Sequence, residues 1–370
     1  MSSSRESART VAPLLSAAAL LCLGVATTTQ ARALVRQDTI ARRQQTQGPS
    51  TDVVRQLISR ARGAALDDAE FARARDIGYA LIRAARFEEA AALLGALVER
   101  WPGDAVTLYG AALAAFNAKR AAEAEPLARR AAEAALAGGG AKDGAADALV
   151  LLAVVLAVRG DDAGALKAAR QAAEIAPRNF DAQFTLGRGL YGAGDAVGAA
   201  RAFRTAVALR PGDARALFFL ATTLERAGDD AEALTTYKEL VRLKPNEADG
   251  HLGLGVLLVK KGGVNVEEGI PELARALEIN PNLYEARVTL GRALVMRGRA
   301  SEAVEHLKRA AALAPENPEP HYQLSLAYRR LGRKEEADAE SAIVKRIHES
   351  RRNANVNVNP NTDKPPAPVR

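Results

Sequence analysis

Small and apolar residues recur along most of this chain at the three- and four-residue spacing that places them on one face of a helix. Residues 180–213 show the pattern clearly, because they contain two such faces in succession. The first face comprises Phe184, Leu186, Gly187 and Leu190, and the second comprises Ala199, Ala202, Phe203, Ala206 and Val207. No segment keeps a two-residue alternation, so the pattern predicts an all-helical protein without strands.

Glycine and proline divide each pair of predicted helices in the same way. Gly194 is placed to end the first helix in a left-handed conformation, and Asp195 is placed to cap the second. Pro211 then stops the second helix. The same glycine recurs in other units at Gly160, Gly228, Gly262, Gly298 and Gly332.

The proline that ends each pair recurs with a nearly constant period. Its positions are Pro177, Pro211, Pro245, Pro281 and Pro315, in steps of 34, 34, 36 and 34 residues. Twelve residues before each proline lies a small residue: Ala165, Ala199, Ala233, Gly269 and Ala303. An earlier column of small residues includes Gly187, Ala221, Gly255 and Gly291. A period of this length indicates stacked repeats, and small residues at fixed positions allow two helices to approach closely.

Several columns together resemble the tetratricopeptide repeat family. The unit at 180–213 carries the family's pattern in Leu186, Gly187, Leu190, Ala199, Phe203, Ala206 and Pro211. The chain differs from the family pattern at the position where the family has tryptophan, since Gln183, Leu217 and Arg287 stand there. The resemblance covers residues 71–350 and implies an α-solenoid, a right-handed superhelix of about eight helix-turn-helix units. Their expected ranges are 71–104, 105–138, 146–179, 180–213, 214–247, 248–283, 284–317 and 318–351.

Departures from the repeat pattern fall at a few sites. Ala85 and Lys119 stand where later units have the turn glycine. The stretch 137–144 adds seven residues, and we expect a surface loop there, with a hinge as the alternative. The sixth unit carries two extra residues within 260–270, which we expect in the turn between its helices.

The ends of the chain differ in character from the repeats. Residues 1–33 combine an early Arg5 and Arg9, an apolar run and a small-x-small site at 31–33, which indicate a secretory signal peptide. An uncleaved anchor helix, a lipoprotein at Cys22 and a transit peptide remain alternatives. We expect a linker at 34–50, a capping helix within 51–70 and a disordered tail at 353–370.

Composition and charge narrow the classes of function. The net charge is +7, but the charges alternate in sign along the helices, and no basic stripe is interleaved with aromatic residues. We therefore expect no nucleic-acid partner. The one cysteine lies in the leader, so a processed chain has no thiol chemistry and no disulfide.

Motifs for catalysis or cofactor binding are lacking in the sequence. His251 and His321 occupy the same repeat position, which favours packing over a metal site, and no HExxH pair occurs. The GxGxxG match at 187–192 follows no predicted strand, and its first glycine belongs to the small-residue column. We expect a protein that is not an enzyme, with no catalytic, cofactor-binding or metal-binding residues.

The resemblance also implies where a partner would bind. In this family the first helix of each unit lines the groove, through the second, fifth, ninth, twelfth and thirteenth positions. Carried onto this chain, the candidate protein-binding residues are Arg75, Tyr79, Arg83, Tyr109, Phe116, Phe184, Arg188, Tyr191, Phe218, Arg226, Arg292, Tyr322 and Arg329. Aromatic residues and arginines commonly anchor interfaces, although packing between repeats is the alternative for each of them.

These expectations combine into one functional hypothesis. The chain would be an exported scaffold, periplasmic or secreted, that binds a protein or peptide segment with apolar and acidic groups. It would meet a membrane only if its leader were retained or lipidated. The alternatives are a membrane- or lipid-anchored accessory subunit of an envelope complex and an accessory protein that presents substrates to an enzyme.

Overall fold

A computed structural model describes residues 49–63, 66–138 and 142–358, and all regular secondary structure in them is α-helical. The expected all-α solenoid of helical repeats is confirmed. The helices are α1 Thr51–Arg62, α2 Asp68–Arg83, α3 Phe87–Arg100, α4 Ala105–Asn117, α5 Ala121–Ala137, α6 Lys142–Val158, α7 Asp162–Ile175, α8 Phe180–Gly192, α9 Ala196–Leu209, α10 Ala214–Ala227, α11 Asp230–Leu243, α12 Ala248–Lys261, α13 Asn265–Ile279, α14 Tyr284–Met296, α15 Ala300–Leu313, α16 Pro318–Arg330 and α17 Lys334–Val358. The expected signal peptide at 1–33 and all but the last two residues of the 34–50 linker lie outside the described residues.

The chain divides into two compact units, and the first ends at Arg100. Within the first unit, α1 and α2 both pack against α3. Val54 and Ala61 are the buried residues of α1, which therefore closes one side of α3 through a small apolar face. This helix lies inside the segment predicted to cap the repeats. A capping box then starts α2, since Asp67 and Glu70 each accept a hydrogen bond from the other's backbone amide.

The second unit begins at Trp101 and consists of helix pairs stacked in chain order. In each pair the first helix packs on the second, and the second packs on the first helix of the next pair. Each pair thus covers one face of its neighbour, so the apolar core continues along the stack.

The column of small residues lies where the two helices of one repeat meet. A Cβ atom added to Gly187 would lie 2.7 Å from Cε1 of Phe203, and one added to Gly291 would lie 2.5 Å from Cδ2 of Leu307. Both partners sit sixteen positions later in the same repeat and are fully buried. The periodicity of small residues therefore records a contact between the two helices of each repeat.

The turn between the two helices of a repeat contains a residue with a left-handed backbone conformation, and that residue need not be glycine. Gly194 has a φ of 83°, and Lys119, at the same repeat position, has a φ of 65°. Ala85 adopts a φ of 56° in the first repeat. A side chain is strained in this conformation, so the turn geometry is imposed by the packing of the helices on either side.

Extra residues lengthen helices instead of forming loops. Of the loop expected at 137–144, the described residues are helical except for Gly138, because α5 continues to Ala137 and α6 already begins at Lys142; residues 139–141 lie outside the described residues. In the sixth repeat, α12 and α13 are 14 and 15 residues long, whereas α14 and α15 are 13 and 14 residues long. The turn keeps its three residues, so the expectation of a longer turn there is wrong. Adding a residue to an existing helix gains a backbone hydrogen bond, which a loop residue lacks.

The C-terminal helix also extends past its expected end. The helix α17 runs through Val358, whereas the sequence predicts a disordered tail from residue 353. Residues 359–370 lie outside the described residues.

Polar residues at the family's tryptophan position connect the first helix to the preceding proline in three repeats. Gln183 Nε2 donates to the carbonyl of Pro177 at 3.1 Å, and Arg287 Nη2 donates to that of Pro281 at 2.6 Å. His251 has its Nε2 3.1 Å from the carbonyl of Pro245 and its Nδ1 2.6 Å from Glu272, on the second helix of the same repeat. The packing role expected for this histidine is thus a polar link within the repeat.

Candidate functional site

The first helices of the second unit form one continuous layer. Each of α4, α6, α8, α10, α12 and α14 contacts the next first helix along the chain. Second helices of neighbouring repeats share at most marginal contact within residues 101–138 and 142–358. The first helices therefore form a layer in which neighbouring repeats touch directly.

In the first unit, the candidate residues Arg75, Tyr79 and Arg83 lie on α2. The guanidinium carbon of Arg75 lies 5.6 Å from the centroid of the Phe71 ring, and both Arg75 and Tyr79 are half-buried. Arg83 is exposed in the last turn of the helix. Arg83 is therefore the most accessible of these three residues.

Tyr109 and Phe116 on α4 are half-buried against the apolar cluster shared by α4–α7. Burial raises the pKa of the Tyr109 hydroxyl, and the carboxylates of Asp147 and Asp181 raise it further. Burial also raises the pKa of Asp147, against a hydrogen bond from Asn179 that lowers it. Tyr109 thus lies near acidic side chains from the following first helices.

Phe184 does not form part of an exposed surface. Its ring centroid lies 5.7 Å from that of Phe203 and 5.5 Å from that of Phe219, within the apolar core. The residue is 9% exposed. The structure therefore places Phe184 among residues that pack between repeats, which was the alternative to a binding role.

Tyr191 and Arg226 are brought together across two repeats. The guanidinium carbon of Arg226 lies 4.9 Å from the centroid of the Tyr191 ring, and Arg226 Nη1 donates to the Tyr191 carbonyl at 3.4 Å. An arginine in this position covers the aromatic ring by a cation–π contact. The two residues therefore connect α8 to α10, and the ring of Tyr191 is half-buried.

The other candidates lie at separate places along the layer. Phe218 is half-buried and lines a cavity of about 480 Å³ between α10, α11 and α12. Arg292 is half-buried on α14. On α16, Tyr322 is 50% exposed, and Arg329 is exposed with its Nη2 3.5 Å from Oγ of Ser341.

A cavity of about 680 Å³ lies between α6, α7 and α8. Its walls are mainly small or apolar, and Arg188 and Asp162 are its charged residues. The lining residues are Ala153, Val154, Ala157, Val158, Asp162, Ala163, Ala165, Leu166, Thr185, Arg188, Gly189, Gly192 and Ala193. Of the candidate binding residues, only Arg188 reaches this cavity, and its side chain is exposed.

Sequence analysis missed a set of cations at the ends of first helices, which contact the preceding repeat. Lys260 Nζ lies 3.5 Å from Oδ1 of Asp230, and Arg297 Nη2 donates to the Gly263 carbonyl at 2.9 Å. A signal for them exists in the repeat register, because the thirteenth or fourteenth position of most units holds arginine or lysine. It becomes visible only when successive units are aligned on the turn glycine.

Comparisons with known proteins agree with the repeat pattern. Residues 75–139 and 184–248 match one tetratricopeptide repeat family model, and residues 291–332 match another. No curated protein matches the sequence.

Similar solved structures include three chains that this protein covers almost completely. MamA is 21% identical, with 51% of this chain and 98% of that chain covered and a TM-score of 0.44. YrrB, described as a TPR protein with an unusual peptide-binding site, is 21% identical, with 49% and 93% covered and a TM-score of 0.44. The pilF protein of Pseudomonas aeruginosa is 20% identical, with 56% and 94% covered and a TM-score of 0.48. On the strength of the family models and the helix pairs described above, this chain carries tetratricopeptide repeats.

Proposed function

We propose that this protein is an exported scaffold, not an enzyme, that binds a protein or peptide segment on the layer formed by its first helices. Stacked helical repeats expose extended surfaces of this kind, and tetratricopeptide repeats support a protein-interaction role. The observation that carries the proposal is the open, mostly apolar cavity of about 680 Å³ with the exposed Arg188 at its edge.

The chemistry of the layer favours a partner with apolar anchors and acidic groups. Arg188, Arg226 and Arg329 are exposed, and Tyr322 presents a half-exposed ring. Arginine and tyrosine are enriched among the residues that dominate binding energy in protein interfaces. An extended segment or an amphipathic helix would bring apolar and acidic side chains to such a surface at regular spacing.

The sequence of residues 1–33 supports export. Cleavage of this leader distinguishes the leading proposal from the membrane-anchored alternative, in which the leader is retained. In the described residues 49–63, 66–138 and 142–358, no helix combines the length and apolarity needed to cross a bilayer. Determining the N-terminal residue of the mature protein tests export: a start near Leu34 supports it, whereas an intact leader favours an anchored accessory subunit.

A crosslinked pull-down with the full chain tests the binding surface. The test variant combines Arg188→Glu with Arg292→Glu, and the matched control combines Arg201→Glu with Arg309→Glu on second helices, where both arginines are exposed. We expect the test variant to lose a partner that the wild type and the control retain. Equal capture by all three proteins would contradict a binding site on the first helices.

A further inference from the structure

Successive first helices are joined by a cation from the end of the later helix. Lys260, at the end of α12, lies within 3.6 Å of Glu225 and 3.5 Å of Asp230, at the turn between α10 and α11. Arg226, at the end of α10, reaches the carbonyl and the ring of Tyr191 on α8. The cation therefore covers the space between two first helices, just above the turn of the preceding repeat.

In the described residues, a cation also reaches the preceding repeat at the other junctions of the second unit, apart from the junction between α6 and α8, but its acceptor lies on a first helix at some junctions and on a second helix at others. Each cation occupies the thirteenth or fourteenth position of its unit, and each reaches a carboxylate or a carbonyl of the unit before it. The further pairs are Arg159 with Glu125, Arg297 with Glu267 and the carbonyl of Gly263, and Arg330 with the carbonyl of Val295.

At the junction of α6 and α8 the cation is missing. Gly192 and Ala193 occupy the thirteenth and fourteenth positions of that unit, so neither can reach the preceding repeat. The cavity of about 680 Å³ lies here, and both residues line it. We call this site the open junction, defined by the lining residues between Ala153 and Ala193 given above.

One of the two carboxylates that pair with Lys260 has a counterpart at the open junction, whereas the other, Glu225, corresponds to Ala157. Asp162 stands at the same repeat position as Asp230, which accepts the ion pair from Lys260. Asp162 is exposed and lines the cavity. No carboxylate–cation pair within 4.0 Å involves Asp162 in the described part of the chain. The open junction thus has one carboxylate of a bridged junction without its cation.

We propose that the open junction receives an arginine or lysine side chain from a partner segment, in the place that Lys260 fills at its own junction. This inference rests on the proposed function and specifies one contact of the partner. The aliphatic stem would lie against Ala157, Val158 and Leu166, and the cationic head would pair with Asp162. Long basic side chains bury their stems on apolar surface while the charge stays at the edge.

The two charged residues of the open junction indicate which charges the bound segment carries. Asp162 lies at the first turn of α7, and Arg188 lies on α8. A basic residue at Asp162 therefore leaves Arg188 available for an acidic residue elsewhere in the same segment. The partner that fits both groups carries opposite charges on the two sides of its apolar contact.

The test uses small probes that share one aliphatic stem and differ in charge. They are n-butylguanidinium, n-butyrate and n-butanol, titrated into the full chain while the methyl NMR signals of Val158 and Leu166 are followed. Leu324, which is buried on α16, serves as the remote reference. We expect n-butylguanidinium to shift the two cavity signals at lower concentration than either other probe.

Two variants assign the site. Gly192→Lys installs the missing cation, and an added Cβ at Gly192 meets nothing within 4 Å, so the helix accommodates it. We expect this variant to abolish the shifts, whereas the matched Gly192→Ala variant retains them. Asp162→Asn should weaken n-butylguanidinium binding by about two- to fivefold, the range for an exposed ion pair.

Each outcome decides for or against the open junction as a site for a basic side chain. Equal binding of n-butyrate or n-butanol, an unchanged affinity in Asp162→Asn, or no shift at Val158 and Leu166 would overturn the inference. The proposed function is judged separately, by the dependence of partner capture on Arg188 and Arg292. A scaffold that captures its partner but binds no n-butylguanidinium at this site keeps the proposed function and loses the basic contact.

Discussion

The junction between α6 and α8 and the junction between α10 and α12 lie at equivalent places in the stack and share one acceptor position, but differ in the other residues of the bridge, since Ala157 also stands where Glu225 does. Asp162 and Asp230 hold equivalent positions, whereas Gly192 replaces Lys260. Lys260 pairs with Asp230, and the cavity beside Asp162 remains open. A residue at the end of a first helix can therefore decide whether the layer of first helices is covered or accessible, without a change in the repeat itself.

The interiors of the repeats do not share this difference. A Cβ atom added to Gly187, in a helix that lines the open junction, would clash with Phe203 much as one added to Gly291 in a bridged region would clash with Leu307. Both regions therefore have the same packing between the first and second helix. The difference between the open junction and the bridged junctions lies at the ends of the first helices, on the surface where a partner would bind.

The largest expected effect comes from disturbing the packing that the two regions share. Gly187→Ala and Gly291→Ala each place a methyl group within 2.7 Å of a fully buried side chain, so we expect a loss of about 1–3 kcal/mol in the free energy of unfolding. Urea unfolding measures it. Gly192→Ala is the control on the same helix as Gly187, and it should be neutral or slightly stabilising. A loss in only one of the two packing variants would show that the repeat interiors differ after all.

The left-handed turns are expected to give the next largest effect. Lys119→Gly removes the strain of a side chain at a φ of 65°, which we expect to raise the free energy of unfolding by about 1 kcal/mol. Gly194→Ala introduces the same strain at a φ of 83°, in the turn that follows α8, and should lower it by a similar amount. Opposite shifts of the urea midpoint would show that the turn is the same in a bridged region and beside the open junction; shifts of one sign would contradict this.

Installing or removing a bridge should change stability less. Gly192→Lys installs a bridge and is compared with Gly192→Gln, because lysine and glutamine have similar helix propensities. Lys260→Gln removes a bridge and is compared with the wild type. We expect each bridge to contribute about 0.2–1 kcal/mol, and we expect the contribution to fall in about 1 M salt. Thermal melts at low and high salt measure it. A lysine effect at residue 192 that is insensitive to salt would argue against an ion pair with Asp162.

Acidification should destabilise the bridged region around His306 more than the open junction. Burial, followed by the charge of Arg287, lowers the pKa of His306 on α15 below its usual value of 6.5, against the opposing effect of Glu305 and Glu302. Its Nδ1 is buried without a hydrogen-bond partner. Because the unfolded chain binds this proton more readily, stability is fully present at pH values above the unfolded pKa and is lost as the pH falls below it.

Hydrogen exchange at about pH 7.5 and about pH 5.5 locates this effect, since histidine titrates between these values. After correction for the intrinsic pH dependence of amide exchange, we expect lower protection factors in α14–α16 at the lower pH and a smaller change in α6–α8, where the sequence contains no histidine. His306→Gln should remove the difference. Acid-dependent loosening that is equal in both regions would contradict the assignment to His306.

The sequence predicts the helices and their order well, because each repeat carries its own glycine, proline and small-residue signals. It fails at the 137–144 insertion, since alanine on both sides of the glycines lets α5 and α6 extend. Phe184 was assigned to the binding face by position alone. Position cannot reveal that Phe203 and Phe219, from other helices, enclose its ring.

The open junction was inaccessible to sequence reasoning for a related reason. The open junction is recognised by the lack of a cationic side chain at residues 192–193. That lack is informative only in comparison with the cations that bridge the other junctions. Those bridges join residues 30 or more positions apart, as Lys260 and Asp230 do. Their geometry appears only when two repeats are folded against each other, although the repeat register contains the positions involved.

A crystal structure of the full chain with Gly192→Lys tests most directly whether one cation decides if a junction is open. We predict that the new ammonium group lies within ion-pair distance of Asp162, as Lys260 does with Asp230, and that its stem fills the space beside Val158 and Leu166. A new side chain that points into solvent, with the cavity of about 680 Å³ unchanged, would contradict this explanation of the open junction.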